Sequence, residues 1–440
     1  MTGTSDAHID EPADASTAAT STGNIASTGT ATPTAADAAA PSNANTTSGT
    51  VADVTADSGS GGDDASHTPE SSALPESLDS EWRPDTIIPG YQQRTLHLGE
   101  DDEGELTATF IRKDPTTLTW RHRIARWKHA TVRHTPLAIL YVHGWNDFFY
   151  RRHVSEFWES LGVVFYAVDL RKYGRSFHDG QTAGFIDDLH EYFTELNALR
   201  DVIVDELGDD VRILVLAHSF GGLTSSLWLA NEHPHHVTAL ALNSPWLELQ
   251  GNRITRIMTT PVVKGFGLAG AKNVIPIRDP GFYGRTLWAD QDGEWDYNTR
   301  YPWPKAEFFT RAGWFDAVYR AQDEVSRGLD ITVPVLVCTS DKSMILGKWD
   351  EAMHEADTVL DVTAIRQNAL NLGDFVSLAR IRGGLHDLSM SASVARWRYF
   401  ATVAAWANQY AWSGESPHRP LRPAAIARAL DVVAQVRGGV

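Results

Sequence analysis

Leu214-Val215-Leu216-Ala217-His218-Ser219-Phe220-Gly221-Gly222 runs apolar as far as a histidine and a serine, then breaks at two glycines. The apolar part is long enough for a buried strand, and Leu223 to Glu232 carries a helical pattern closed by Pro234. Strand, sharp turn and helix therefore follow one another, with Ser219 at the turn. A serine so placed has strained backbone geometry and an exposed hydroxyl, which makes it a nucleophile if a base lies within reach. Gly221 supplies the second glycine of the G-x-S-x-G pattern. Ala217, still small, stands where the first would be. The competing reading is that Ser219 merely caps the helix beginning at Phe220, so the rest of the chain has to decide.

Working outward, the same kind of apolar run recurs at Leu137 to Val142, Val163 to Val168, Val237 to Leu242 and Val333 to Cys338. Helical patterns lie between them. The clearest is Asp187 to Leu207, with Leu189, Tyr192, Phe193, Leu196, Leu199, Val202, Ile203 and Leu207 on one face. Short apolar strands alternating with amphipathic helices predict an α/β fold with a parallel sheet covered on both sides. Such sheets bind ligands beyond the carboxyl ends of their strands. Several chemistry-bearing residues fall at those ends. His143-Gly144-Trp145-Asn146 follows the first run, and a turn at Gly144 can aim the next amide at a developing oxyanion. Asp341 follows the Val333 run, where a carboxylate could orient a histidine or simply start a turn. His386 sits in Arg382-Gly383-Gly384-Leu385-His386-Asp387, after the strand-like Phe375 to Ile381. Asp169-Leu170-Arg171-Lys172-Tyr173-Gly174-Arg175-Ser176 reads as structural, an Asp–Arg pair stiffening a loop that Gly174 turns.

The order of oxyanion loop, serine, aspartate and histidine, each at a strand end, resembles the α/β-hydrolase superfamily. The resemblance covers roughly Arg94 to Tyr410. It is strongest to the group that holds monoacylglycerol lipases, lysophospholipases and the serine aminopeptidases classed as S33. It implies a mainly parallel eight-stranded sheet, a cap inserted after the sixth strand, and no cofactor. It also implies roles: Ser219 as nucleophile, His386 as base, Asp341 as the orienting acid, and the amides of Trp145 and Phe220 as oxyanion donors. Asp387 is set aside as the acid because neighbouring side chains in a loop diverge. Glu248, after an earlier strand, is the alternative that some members would favour. The cap is expected over residues 245–330, where Trp246, Trp288 and Trp303 stand among many aromatic residues that suit greasy acyl groups.

Composition bounds the rest. The 440 residues include 15 Trp, 12 Tyr and 16 Phe, and 42% of the chain is hydrophobic, enough for a sizeable core. Of the formal net charge of −18, the stretch up to Glu81 supplies 13 negative charges and no positive one, leaving −5 for the remainder. A nucleic-acid partner has no global charge to support it. Residues 1–80 are Ala-, Thr-, Ser-, Gly- and Asp-rich and are expected to stay disordered. Arg112 to His134 is conspicuously basic, with Asp114 its lone acid. It reads as a solvated insertion, or as a segment that docks the acidic tail or another anionic surface. The lone Cys338, in an apolar run, reads as a buried and inert thiol. His233, His235 and His236 come without the carboxylates or cysteines of a metal site. No stretch has the length and apolarity of a membrane span, and no secretory signal is present, so a cytoplasmic protein is expected, with room for peripheral membrane contact. Ala424 to Val436 predicts a short amphipathic helix in a 413–440 extension.

The functional expectation is a serine hydrolase acting on a small-molecule ester or lipid-like substrate. An S33-type aminopeptidase is the alternative, with Asp290, Asp292, Glu294 and Asp296 as candidate holders of a free α-amine. A binding protein that kept the fold without the reaction is the competitor from another class.

Overall fold

Alternation along the central strands explains the layering. In strand β4 (Leu137–Val142), Ala138, Leu140 and Val142 belong to one buried cluster, while Leu137, Ile139 and Tyr141 belong to a second. A strand buried on both faces must lie inside a sheet covered by helices on each side. The first cluster takes in helices α3 (Phe193–Leu207) and α4 (Phe220–Glu232). The second takes in α2 (Arg152–Ser160) and the helix Ser393–Tyr410.

The computed structural model describes residues 77–132, 135–248, 270–276, 280–302, 307–412 and Asp431. Expectations for the acidic tail, Trp303 and the helix Ala424–Val436 fall outside these residues, apart from 77–80 and Asp431. Order was expected near Trp82, yet residues 77–80 are already engaged: Leu78 bridges Leu96, and Arg94 Nε donates to the Asp79 carbonyl. Among the described residues the sheet has nine strands in the order β1-β2-β3-β5-β4-β6-β7-β8-β9. β1 (Arg83–Pro84) is a two-residue edge strand, so eight longer strands remain, as the resemblance implied. β2 (Tyr91–Asp101) and β3 (Gly104–Lys113) form the expected antiparallel pair, and β3 also runs antiparallel to β5 (Val164–Asp169). From β5 onward, through β4, β6 (Arg212–His218), β7 (Val237–Asn243), β8 (Val335–Ser340) and β9 (Val376–Ile381), every pairing is parallel.

The chain leaves the sheet after β7, the sixth of the longer strands, and returns at β8. Between them lie the helices Phe282–Leu287, Tyr297–Arg300 and Ala312–Arg327. The basic stretch forms helix α1 (Trp120–Val132), between β3 and β4. The Asp–Arg pair of the loop after β5 is Asp169 with Arg175. Arg175 Nη1 lies 2.8 Å from Asp169 Oδ2, whereas Arg171 pairs with Glu195. Cys338 is fully buried.

The strand–helix elbow depends on glycine at one position above all. A Cβ added at Gly221 would stand 2.2 Å from the His143 carbonyl oxygen and 2.9 Å from that of Val142, both backbone atoms that cannot swing aside. Gly221→Ala should therefore lower stability by about 1–3 kcal/mol through overpacking, read as a lower urea midpoint at unchanged m-value. An unchanged midpoint would mean that the two loops approach less closely than described.

Candidate active site

The carboxyl ends of five parallel strands deliver the polar residues of the site. Ser219 follows β6 with φ 52° and ψ −117°, a left-handed conformation that L-residues rarely hold. Such geometry costs on the order of 1–3 kcal/mol and persists where its surroundings enforce it. Here the Ser219 amide donates to the Asn243 carbonyl at 3.0 Å, and the Ser219 carbonyl accepts from Gly222 at 2.9 Å and Trp246 at 3.0 Å. Both ends of the residue are pinned, and its side chain is left to face the loop after β9.

His386 occupies that loop. Its Nε2 lies 3.0 Å from Ser219 Oγ and its Nδ1 lies 3.0 Å from Asp357 Oδ2, all within a buried region. Nδ1–H donates to the carboxylate, which leaves Nε2 free to accept the serine proton. The second carboxylate oxygen, Asp357 Oδ1, accepts the amides of Val359 and Leu360, each at 2.8 Å. A hydroxyl, imidazole and carboxylate so linked can deprotonate the hydroxyl as it attacks and stabilise the imidazolium that forms.

The expected acid, Asp341, is not brought to His386. Its Oδ1 accepts the Gly383 amide at 2.8 Å, so it braces the histidine loop from below rather than the ring itself. The chain beyond β8 runs out and folds back, with Ser343 bridging Asp357 in parallel and the Asp357 amide donating to the Lys342 carbonyl at 3.0 Å. That return places the second aspartate under the imidazole. Glu248, the alternative, is hydrogen-bonded by the Asn368 side chain and does not meet His386 among the described contacts. Asp387 points away from its neighbour, toward Arg151, Asn243 and Ser389. The sequence signal for Asp357 was slight: one of three carboxylates in Glu355-Ala356-Asp357-Thr358-Val359-Leu360-Asp361, just before a helix start.

A second missed residue is Arg151, a buried guanidinium at the start of α2. It pairs with Asp387 through Nε and with Asp147 Oδ1 through Nη1 at 2.8 Å. Asp147 Oδ2 in turn accepts the Gly144 amide at 3.0 Å, and Asn243 Nδ2 donates to Asp387 Oδ1 at 2.7 Å. One arginine thus ties the loop after β4 to the loop carrying His386. Burial alone would raise the Asp387 carboxyl, but Arg151 outweighs it and holds the group far below the usual range.

Trp145 and Phe220 meet beside this junction, their rings edge-on with centroids 6.3 Å apart. A Cβ added at Gly144 would sit 3.2 Å from Ser219 Cβ, which shows how closely the two loops approach. The Phe220 amide is the first of its helix and has no intrahelical acceptor. Around Ser219 the rings form a wall: Trp145 packs on Trp314 with centroids 3.7 Å apart and on Phe308 at 5.2 Å, while Trp246 packs on Trp314 at 5.7 Å. Trp288 lies elsewhere, against Tyr150 at 5.9 Å. Tyr283 closes over the imidazole, its ring edge-on to His386 with centroids 5.3 Å apart. Each aspartate and glutamate considered for an amine site has a local partner: Asp290 with Asn298, Asp292 with Arg285, Glu294 with Arg396 and Asp296 with Arg300.

The model of the family described as Serine aminopeptidase, S33 matches residues 134–354, half of the chain. The chain belongs to this family and is an α/β-hydrolase enzyme. The matched span holds Ser219 and ends before Asp357 and His386. Among curated proteins it is similar to Phospholipase YtpA of Bacillus subtilis (strain 168), 29% identical over 117 residues. That match spans 26% of this chain and 43% of the relative, less than half its length. Among solved structures it is similar to a soluble variant of monoglyceride lipase from Saccharomyces cerevisiae, at 10% identity and TM-score 0.48 over 77% of this chain and 96% of that one. It is also similar to the monoacylglycerol lipase of Paleococcus ferrophilus, at 17% identity and TM-score 0.44 over 61% and 94%. At such scores these neighbours add nothing to what the strand order already shows.

Two buried imidazoles near the site titrate low. Burial pushes His218 down to about 4 and His153 down to about 3 from the ordinary 6.5. His218 Nδ1–H donates to the Asn243 carbonyl at 3.1 Å, and its ring lies 5.0 Å from that of His386. A neutral His218 spares His386 a like charge once it is protonated. Both folded values are depressed, so the unfolded chain binds protons first as the pH falls. Their contribution to stability is whole above 6.5 and is lost progressively toward 4 and then 3. Denaturant midpoints followed from neutral pH downward should decline across this window, with net proton uptake on unfolding. His218→Asn should flatten part of that slope, and a profile independent of pH would contradict the neutral burial.

Proposed function

We propose that the enzyme hydrolyses carboxylic esters of lipid-like acyl groups, such as acylglycerols or lysophospholipids, through an acyl-enzyme. The observation that carries this reading is the continuous relay from Ser219 Oγ through His386 to Asp357, 3.0 Å at each step. Ser219 Oγ attacks the acyl carbon while His386 Nε2 takes its proton. The amides of Trp145 and Phe220 receive the oxyanion, each such donor lowering the barrier by about 3 kcal/mol. The tetrahedral adduct collapses, His386 returns the proton to the departing alkoxide, and the alcohol leaves. Water then attacks the acyl carbon while giving a proton to His386, and His386 passes that proton to Ser219 Oγ as the Oγ–acyl bond breaks and the acid leaves. Asp357 keeps Nδ1 protonated throughout.

The aromatic wall of Trp145, Trp246, Phe308 and Trp314 supports an apolar acyl group over an aminoacyl one. The engagement of Asp290, Asp292, Glu294 and Asp296 by nearby partners points the same way, since an aminopeptidase needs a carboxylate open to a free amine. The Bacillus subtilis relative is a phospholipase, which is consistent with a lipid-like substrate.

Hydrolysis of p-nitrophenyl esters of graded chain length should exceed that of aminoacyl anilides, with a fluorophosphonate probe labelling Ser219. Cleavage confined to the anilides would overturn the ester reading. The two aspartates separate cleanly. Asp357→Asn should lower kcat by about 10⁴-fold, as loss of the orienting acid does elsewhere. Asp341→Asn should leave turnover nearly intact and cost no more than about 1 kcal/mol of stability, because the Gly383 amide would donate to a neutral amide oxygen in place of a carboxylate. The reverse pattern would return the acid's role to Asp341.

A further inference from the structure

Helix α1 presents its large apolar residues among the described side chains outward. Trp120, Ile124 and Trp127 are 67%, 41% and 63% exposed, although their i, i+4, i+7 spacing is that of a face meant for burial. The opposite side anchors the helix to α2. Arg126 pairs with the fully buried Glu159 through Nη2 at 2.6 Å, and His122 Nε2 lies 3.9 Å from Glu156, which Lys113 also meets. At about 100° per residue, the outward arc runs from Arg123 through Trp127, Trp120 and Ile124 to Lys128 and Arg121. The apolar stripe is therefore rimmed by exposed cations on both sides. No acidic residue interrupts Trp120–Val132, in a chain whose overall charge is −18.

The geometry points to α1 as a docking helix for a bilayer surface carrying anionic headgroups. Trp is favoured at the boundary between water and acyl chains, and a Trp-bearing apolar stripe flanked by Lys and Arg is the pattern of helices that lie in that boundary. The charge on the rim is complementary to anionic lipid. The acidic stretch before Trp82 matches that charge too, but it has no aromatic residue and few large aliphatic ones with which to cover two tryptophans. This inference concerns where the protein binds and holds whichever bond the site cleaves.

The test is co-sedimentation of the full chain with vesicles of phosphatidylcholine alone and of phosphatidylcholine mixed with phosphatidylglycerol. Binding is expected to the mixed vesicles and to weaken with salt. Arg121→Gln and Lys128→Gln should each lower the partition roughly fivefold, the equivalent of about 1 kcal/mol per charge. The Trp120→Ser, Trp127→Ser double variant should weaken it at all salt concentrations. All variants should unfold at the wild-type temperature, since these side chains are exposed. Absence of binding to the mixed vesicles, or variants that partition like wild type, would overturn the proposal. So would a face already covered without lipid. Trp120 and Trp127 would then be shielded from iodide quenching in the free protein, by the acidic stretch or by a second copy, the latter visible as a dimer that Trp120→Ser dissociates.

Discussion

The site depends on keeping one imidazole between two partners that come from distant parts of the chain. His386 is carried by a glycine-containing loop beyond the edge strand β9, where little else would fix it. Three contacts supply the constraint. Asp341 holds the Gly383 amide at 2.8 Å, Ser340 Oγ donates to the Gly384 carbonyl at 2.6 Å, and Asp387, next in sequence, is fixed by Arg151. A loop held at three points can present its ring at a defined angle, and reacting groups misplaced by an ångström lose most of their effect. Ser219 is fixed equally firmly by the elbow, so the gap between hydroxyl and imidazole is set by backbone placement rather than by side-chain freedom.

Arg151 extends this logic to the oxyanion side. It lies between Asp147, which orders the loop carrying Trp145, and Asp387, which orders the loop carrying His386. A buried cation satisfied by two carboxylates gains little stability over an apolar replacement, but removing it would leave buried charges uncompensated. Its value lies in specifying one arrangement of the two loops. Tyr283, edge-on over His386, belongs to the segment between β7 and β8. The excursion from the sheet therefore contributes to the environment of the base as well as to the aromatic wall.

Much of this was legible in the sequence, for identifiable reasons. The strands are short continuous apolar runs because both faces are buried, and the elbow announces itself because a serine followed by two glycines cannot continue either strand or helix unaltered. His386 was legible because glycines precede it at a strand end. Asp357 was not, because it reaches the site by a return of the chain that is held through Lys342 and Ser343, contacts that leave no pattern in the sequence. The rule that functional groups sit at strand ends selected Asp341, which does serve the site, one hydrogen bond removed. Arg151 was silent because an arginine in Tyr150-Arg151-Arg152 carries no sign of burial. The exposure of Trp120 and Trp127 fits the reading of Arg112 to His134 as a solvated insertion, which rested on its charge, while the helical spacing of the two rings by itself describes a core-facing helix.

The relay depends on a proton held on the line from His386 to Asp357, and proton NMR can observe it. The Nδ1–H of a histidine donating to a buried carboxylate should give a strongly downfield resonance in the folded enzyme. This signal should be present in wild type, persist in Asp341→Asn and disappear in Asp357→Asn. A signal that survives loss of Asp357 and vanishes with loss of Asp341 would contradict that relay.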